Sequence, residues 1–564
     1  MNSRTKKIGA TLLTTAAALI GVPQVPAHSN AVRACQVGYL PDETKFGMLT
    51  EQASGPVTVR RVKDGKAVLT VNPGVATEDE DSGDIVRRVD FSALKTPGEY
   101  VLDAPGLGSS YPFKIGKDVF AKPFRLAMRA FTGQRASTNV SLAPDFPQFK
   151  YEAGHTAPAQ YDPSSGKTGT RDVSGGWYDA GDYGRYIVNS GITTGTLLWS
   201  YELYGSKLRK VNLNIPESGG KIPDVLDEIK WNLDWMLKMQ DEDGGVWHKA
   251  TTANFPGYIM PKDDKGTVLV IGTGRAPFKN TTATADFAAV AAIAARIYRP
   301  FDRAYADRCL DAARSAWEWA EKNPNVLFRN NPQGISTGGY GDSDASDERL
   351  WASAELFRTT GEKAYHDAFL AAAPKFHLKG DAAQGWPSVG NMGLYTYVLA
   401  NRKNADTPTV TRIKSEARQA ADEIVKRVGE NGYRNPLLPR DYVWGSNAVV
   451  GNYGMMLLLA HKIQPNPTYR NTALDSLHYL LGRNTFNTSY VSWVGTKWAM
   501  KPHHRPSAAD GIDQPWPGLL MGGPNAEGKR PPAKQWEDNQ DNYRMNEIAI
   551  NWNAPLVFVL AGAL

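Results

Sequence analysis

Two cysteines, Cys35 and Cys309, are all that the 564 residues contain, so no disulfide framework can hold this fold together. Stability has to come from a large core, and the two thiols read as buried and unpaired. The chain also lacks low-complexity tracts and strict internal repeats. It has no Lys/Arg-rich run: 64 basic and 58 acidic residues give a net charge of +6, spread along the chain. A nucleic-acid partner is therefore not expected. Long apolar runs are missing too, except at the N-terminus. There Lys6 and Lys7 precede Ile8–Ile20, and Val25-Pro26-Ala27 offers small residues for cleavage. Residues 1–27 read as a secretory signal peptide, which predicts a bacterial protein that is exported, soluble and free of membrane spans. The h-region is short and contains Gly and Thr, which disfavours an uncleaved anchor.

What the chain has in quantity is aromatic rings, 15 Trp and 24 Tyr among them. Such rings join an apolar face to a polar tip and suit sugar surfaces as well as large cores. The rest divides into two patterns. Residues 31–117 carry about seven short β-like runs with Gly/Asp/Pro turns, among them Val57-Thr-Val-Arg-Arg-Val and Gly98-Glu-Tyr-Val-Leu. An all-β immunoglobulin-like sandwich has that size. Residues 121–564 turn helical: Leu226, Ile229, Leu233 and Met236 follow 3-4-3 spacing, as do Phe287, Val290, Ala294 and Ile297. Eleven segments read as helices: 121–135, 186–204, 222–239, the run around 287–297, 305–322, 346–360, 391–401, 411–428, 447–462, 469–482 and 546–562. With one more, they would make the twelve of an all-α (α/α)6 barrel; an irregular bundle is the alternative. Between them, 136–185, 241–282, 324–345 and 484–545 read as long loops, which in a compact domain are usually functional.

Three stretches could carry chemistry. In Gly175–Tyr186, GGWYDAGDYGRY, two carboxylates, Asp179 and Asp182, share a Gly/Ala turn walled by Trp177, Tyr178, Tyr183 and Tyr186. Such a turn could bind a cation, position a water, or be an Asx turn. In Trp536–Pro555, Glu547 stands at the head of an apolar run. A partly buried carboxyl there would have a raised pKa and serve as a general acid, or it could simply favour a helix first turn. In Ser489–Ser507, His503, His504 and Arg505 follow Trp493 and Trp498, an arrangement suited to sugar hydroxyls; no Cys/His spacing supports zinc.

Together these stretches resemble the family 9 glycoside hydrolases, the inverting cellulases. Gly495, Lys497, Pro502, His503 and Arg505 match the family's His signature, and Trp536, Asp538, Tyr543, Glu547, Ala549, Asn553 and Ala554 its acidic signature. DAGDYG resembles its base-carrying loop. CQVGYLP, Cys35–Pro41, resembles the start of the immunoglobulin-like module of bacterial members. The resemblance implies Glu547 as general acid, Asp182 as base, Asp179 as holder of the attacking water, and His503 and Arg505 as sugar contacts. It places Asp538 and Tyr543 at the site, and Trp177, Trp247 and Trp444 as sugar-facing rings. Inversion requires acid and base across the sugar with room for a water.

The resemblance also bears on metals. Where some members hold zinc, only His155 remains among Arg135-Ala136, Gly154-His155 and Tyr178, so zinc is not expected. Ser343, Asp344, Asp347 and Glu348 resemble a calcium loop, although a further acidic ligand is replaced near Ser388; an acidic helix start is the rival reading. The implied activity is hydrolysis of β-1,4-glucans by a monomer that needs no catalytic cofactor. An exo-β-glucosaminidase and a non-catalytic glycan binder are the alternatives. Residues 136–175 are expected to wall one end of the cleft and favour chain ends or short oligosaccharides. No carbohydrate-binding module is expected after the last helix.

Overall fold

The computed structural model describes residues 25–564. Most of the expected signal peptide lies outside them. Of its last residues, the Ala27 carbonyl accepts from Ser109 N at 2.8 Å, so Pro26 and Ala27 lie along the sandwich.

Ten short strands between Val32 and Ile115 form two facing sheets. One runs Val32–Arg33, Phe46–Leu49, Asp84–Asp90, Ala76–Asp79; the other runs Gly38–Tyr39, Phe113–Ile115, Gly98–Ala104, Val57–Arg61, Ala67–Val71, with Gly108–Ser109 also paired to Gly98–Ala104. Alternation drives the packing: in Val57–Arg61, Val57 and Val59 are buried while Thr58, Arg60 and Arg61 are not. The sandwich is fastened to the helical part of the chain. Glu43 meets His478 at 3.1 Å in a buried pair, and Gln36 Oε1 accepts from Thr496 N and Lys497 N at 2.9 and 2.7 Å. One hydrophobic cluster runs through both parts. Cys35 and Cys309 are both buried and free.

From Ala121 on, twelve helices pair into a closed double ring. They are α1 (Ala121–Gly133), α2 (Ile187–Leu208), α3 (Asp224–Lys238), α4 (Thr281–Tyr298), α5 (Arg303–Lys322), α6 (Ser346–Thr360), α7 (Lys363–Ala372), α8 (Gly390–Leu399), α9 (Thr407–Glu430), α10 (Ser446–Ile463), α11 (Pro467–Leu480) and α12 (Ile550–Ala563). The even-numbered helices pack in the order α2, α4, α6, α8, α10, α12, and α12 closes back on α2; the odd-numbered ones pack outside them. This is the (α/α)6 barrel, and the twelfth helix is α7, which the periodicity did not reveal.

The two rings differ for a physical reason. The long outer helix α9 buries one stripe: only Ile413, Ala417, Ala420, Ala421, Ile424 and Val428 are buried in it. Outer helices also carry side-chain caps, such as Asp302 accepting from Tyr305 N and Asp406 from Thr409 N. An inner helix is covered on all sides; every residue of α4 except Arg296 is buried. Small residues permit that packing. A Cβ on Gly195 would strike the Trp351 ring of α6.

Two of the expected loops are partly ordered as sheet. Strands Thr170–Arg171, Ala159–Tyr161, Leu269–Ile271, Lys249–Thr251 and Arg185–Tyr186 pair in that order, tying 136–185 to 241–282. The long connections all precede even-numbered helices, so they gather where the inner ring begins.

Candidate active site

At that end lies a cavity of about 290 Å³, and its lining follows from the topology. Asp179, Asp182 and Tyr186 come from the segment before α2, Phe255 from that before α4, and Tyr340 from that before α6. Trp386 precedes α8, Trp444 precedes α10, and Glu547 precedes α12, whose first turn adds Trp552. All six inner helices are thus preceded by a segment that lends the cavity at least one residue, and three of those residues are carboxylates.

The Asp turn is held by short bonds. Asp179 Oδ1 accepts from Asn189 Nδ2 and Oδ2 from Tyr340 Oη, both at 2.6 Å. Asp182 Oδ2 accepts from Gly184 N at 2.8 Å, an Asx turn, and from Tyr186 Oη at 3.4 Å. Gly181 is required between them, because a Cβ there would overlap the His503 carbonyl. Burial first, then the charge of Asp182, pushes Asp179 up to about 8, although Tyr340 and Asn189 pull the other way. The repulsion between the two carboxylates is thereby relieved by a proton on Asp179.

Glu547 differs from expectation. It does not open the last helix. It sits in extended backbone (φ −62°, ψ 155°) between a short helix, Tyr543–Asn546, and α12. That segment is stitched to its neighbours: His503 N donates to Asn546 O at 2.8 Å, Gly522 N to Glu547 O at 2.8 Å, and Ile550 N to Asp179 O at 2.9 Å. The acid-bearing and Asp-bearing segments therefore share a rigid backbone frame. Burial, and next the charges of Asp182 and Asp179, raise the Glu547 pKa well above the usual carboxylate range.

His503 Nδ1 lies 2.9 Å from Gln540 O and 2.8 Å from Tyr258 Oη. A carbonyl can only accept, so Nδ1 carries the proton and Nε2 is left as an acceptor. Burial lowers the His503 pKa, which keeps the ring neutral. Arg505 donates from Nη1 to Gly181 O at 2.7 Å and from Nε to Pro256 O at 2.9 Å. The guanidinium thus clasps the Asp turn and the 253–258 loop together, with Phe255 5.7 Å from it. Trp444 and Tyr543 stand at the rim, 48% and 39% exposed and 5.1 Å apart edge to face.

Three expectations need correction. Trp247 is wholly buried, its Nε1 on Ser165 O and its ring among Lys167, Arg171 and Lys279. Trp177 is buried as well, donating to Glu228 at 2.9 Å. Neither ring can face a sugar. Asp538 does not line the cavity; its oxygens accept from Met500 N and Lys501 N at 2.7 and 2.8 Å, which holds the segment leading to His503. Of the residues that resemble a calcium loop, Ser343 and Asp344 are exposed, Asp347 is half-buried and Glu348 is buried. Asp344 caps Ser346, Asp347 accepts from Val389 N at 2.7 Å, and no cluster of three metal-ligating side chains exists among the described residues. His155 bridges Tyr178 Oη and Asp264 Oδ2 at 2.9 and 3.0 Å.

Sequence reasoning missed Tyr340, Phe255, Trp386 and Trp552. Each stands shortly before or in the first turn of an inner helix, or in the 252–258 segment. That position was the available signal.

A profile described as glycosyl hydrolase family 9 matches residues 120–560, and one described as the cellulase N-terminal Ig-like domain matches residues 27–109. The chain is 40% identical over 537 residues to endoglucanase D of Acetivibrio thermocellus, covering 94% of this chain and 83% of that protein. It is 34% identical to a cellodextrinase of Butyrivibrio fibrisolvens, covering 94% and 98%. A solved structure described as Bacteroides ovatus GH9 superposes with a TM-score of 0.87 at 33% identity, covering 94% of this chain and 98% of that one.

Proposed function

The chain belongs to glycosyl hydrolase family 9, and on that premise we propose a division of labour among its site residues. It is a glycoside hydrolase of β-1,4-glucans that requires no catalytic cofactor. Glu547, protonated, donates to the departing glycosidic oxygen. A water attacks C1 from the opposite face as that bond breaks, and Asp182 takes the water's proton. Asp179 fixes the water beside it. One displacement inverts the anomeric centre, and exchange with solvent returns the proton to Glu547.

The observation that carries this reading is the convergence of Asp179, Asp182 and Glu547 on one aromatic-lined cavity, with Glu547 held protonated by burial. Trp444, Tyr543 and Phe255 supply rings for glucose units, and His503 Nε2 accepts from a hydroxyl. Asp179, Asp182 and Glu547 are the only carboxylates among the lining residues, which does not favour a glucosaminidase, whose cationic sugars call for more. Lys6, Lys7 and the apolar run after them support export. The test is Glu547→Gln assayed by sugar release from cellohexaose. Turnover slowed by about a thousandfold or more supports the assignment, and near-normal turnover refutes it.

A further inference from the structure

Lys249 is a buried ammonium with no carboxylate on it among the described residues. It is 0% exposed, and its Nζ reaches three neutral oxygens: Asn331 Oδ1 at 2.6 Å, Thr337 Oγ1 at 3.1 Å and Gly338 O at 2.7 Å. Desolvating a cation without a counter-ion is costly, so such a group calls for a use. All three acceptors belong to one segment, 331–338, which runs directly into Tyr340. Tyr340 in turn places its hydroxyl on Asp179 from a backbone at φ 47°, a region unfavourable for a bulky residue. A strained tyrosine on a glycine-rich loop holds its place only if the loop is fixed.

The neighbouring residues complete the fixture. His248 sends Nε2 to Gly339 O at 2.7 Å, while its Nδ1 meets Asn280 Nδ2 at 2.9 Å and its ring lies on Phe328 at 3.8 Å. Thr251 and Thr337 share a hydroxyl contact at 2.9 Å. Gly338 N donates to Tyr186 Oη at 3.0 Å, and Tyr186 reaches Asp182. The segment His248–Thr251 thus holds the loop at several points, and the chain of contacts ends on the two aspartates.

We propose that Lys249 is a positioning residue of the reaction: its ammonium clamps the 331–338 segment so that Tyr340 and Tyr186 present their hydroxyls to Asp179 and Asp182. A tetrahedral ammonium suits this task because it has three donors and no acceptor, matching three oxygens around one point. Its charge also acts on the base side of the site: Asp182 is the carboxylate that acts most strongly on it. Burial pulls Lys249 down to about 7, and Asp182 and Asp162 pull it back up; His248, beside it, is held neutral by burial.

This inference rests on the base-side assignment above, and the experiment separates the two. Wild type, Lys249→Met, Tyr340→Phe and the double variant are compared on cellotetraose, with full pH profiles. Lys249→Met is expected to lower kcat ~10–100-fold with KM within about threefold, and to move the acid limb of kcat/KM upward by a few tenths of a pH unit as a nearby positive charge is lost. The double variant is expected to be no slower than the slower single variant, because both changes take the Tyr340 hydroxyl off Asp179, one by deleting it and the other by releasing its loop. If Lys249→Met does not fold, Asn331→Ala and Thr337→Val cut the same clamp from the loop side and must reproduce the kcat loss. Additive effects, or a loss that appears in Tm with kcat and the acid limb unmoved, overturn the clamp. A wild type inactive on every β-glucan overturns the functional reading instead.

Discussion

Replacing Asp179 by Asn should make the protein less stable in acid and more stable in mild alkali than the wild type. Two opposing effects produce the crossover. The wild-type carboxyl titrates at about 8 in the fold against 3.8 for an unperturbed aspartate. Between those values the native state holds a proton that the unfolded chain does not. Native stability therefore falls as pH rises through that window and levels off above it, by at most ~1.4 kcal/mol per pH unit. By pH 8 the limit is ~5 kcal/mol. Asn carries no charge and escapes this loss. Against it, Tyr340 and Asn189 both donate to Asp179, and an amide has only one oxygen to receive them. The orphaned donor costs ~1–2 kcal/mol at every pH. The variant should thus be up to ~1 kcal/mol less stable near pH 4.5 and up to ~3–4 kcal/mol more stable near pH 8. For a unit the size of the matched 120–560 region, unfolding entropy makes that about 1 °C of Tm per kcal/mol, readable by scanning calorimetry. A Tm difference that is flat across pH, or that worsens in alkali, would show that Asp179 does not hold a raised pKa.

Exposure and contact set the outcome of other substitutions. Trp444→Ala removes a half-exposed ring, so Michaelis kinetics on cellotetraose should show KM up ~3–10-fold with kcat within about twofold, since stacking is worth ~0.5–1.5 kcal/mol. Trp247→Ala should do the reverse of a sugar-contact loss: it removes a fully buried ring and should cost ~3–5 kcal/mol, seen as a Tm drop of a few degrees with KM unchanged in the folded fraction. Gly181→Ala should abolish activity by driving the Asp turn off the His503 carbonyl, and wild-type kcat in that variant would contradict the packing. Asp182→Asn should lower the Glu547 pKa, because the charge of Asp182 is one of the causes that raise it; carbon-13 NMR of the labelled carboxyl reads the shift.

Much of this fold is legible in the chain because the physics that shapes it acts locally. The outer helices α3, α5 and α9 bury one stripe, and a stripe has a period that makes them readable. The inner helices are apolar nearly all round, so the 3-4-3 spacing of α4 reveals a helix but not its single buried face, and α7 escapes because only Tyr365 and Phe369 in it are buried. The carboxylates stand out as polar groups crowded among aromatics. What periodicity cannot supply is direction. Trp177 and Trp247 have the composition of a sugar platform, yet they point into the core, where Glu228 and three cations occupy them. Asp538 has the chemistry of a catalytic residue, but backbone amides occupy both oxygens. Tyr340 lies far from Asp179 in sequence, and Lys249 reaches the site through pairing of its strand with Tyr186, contacts that only the tertiary fold supplies.

The central claim is that Glu547 and Asp182 act on opposite faces of one glycosidic bond. Proton NMR of cellohexaose during the first minutes of hydrolysis tests it most directly, before mutarotation mixes the anomers. The new reducing ends should appear as the α-anomer and drift toward equilibrium. New ends that appear as the β-anomer would contradict it.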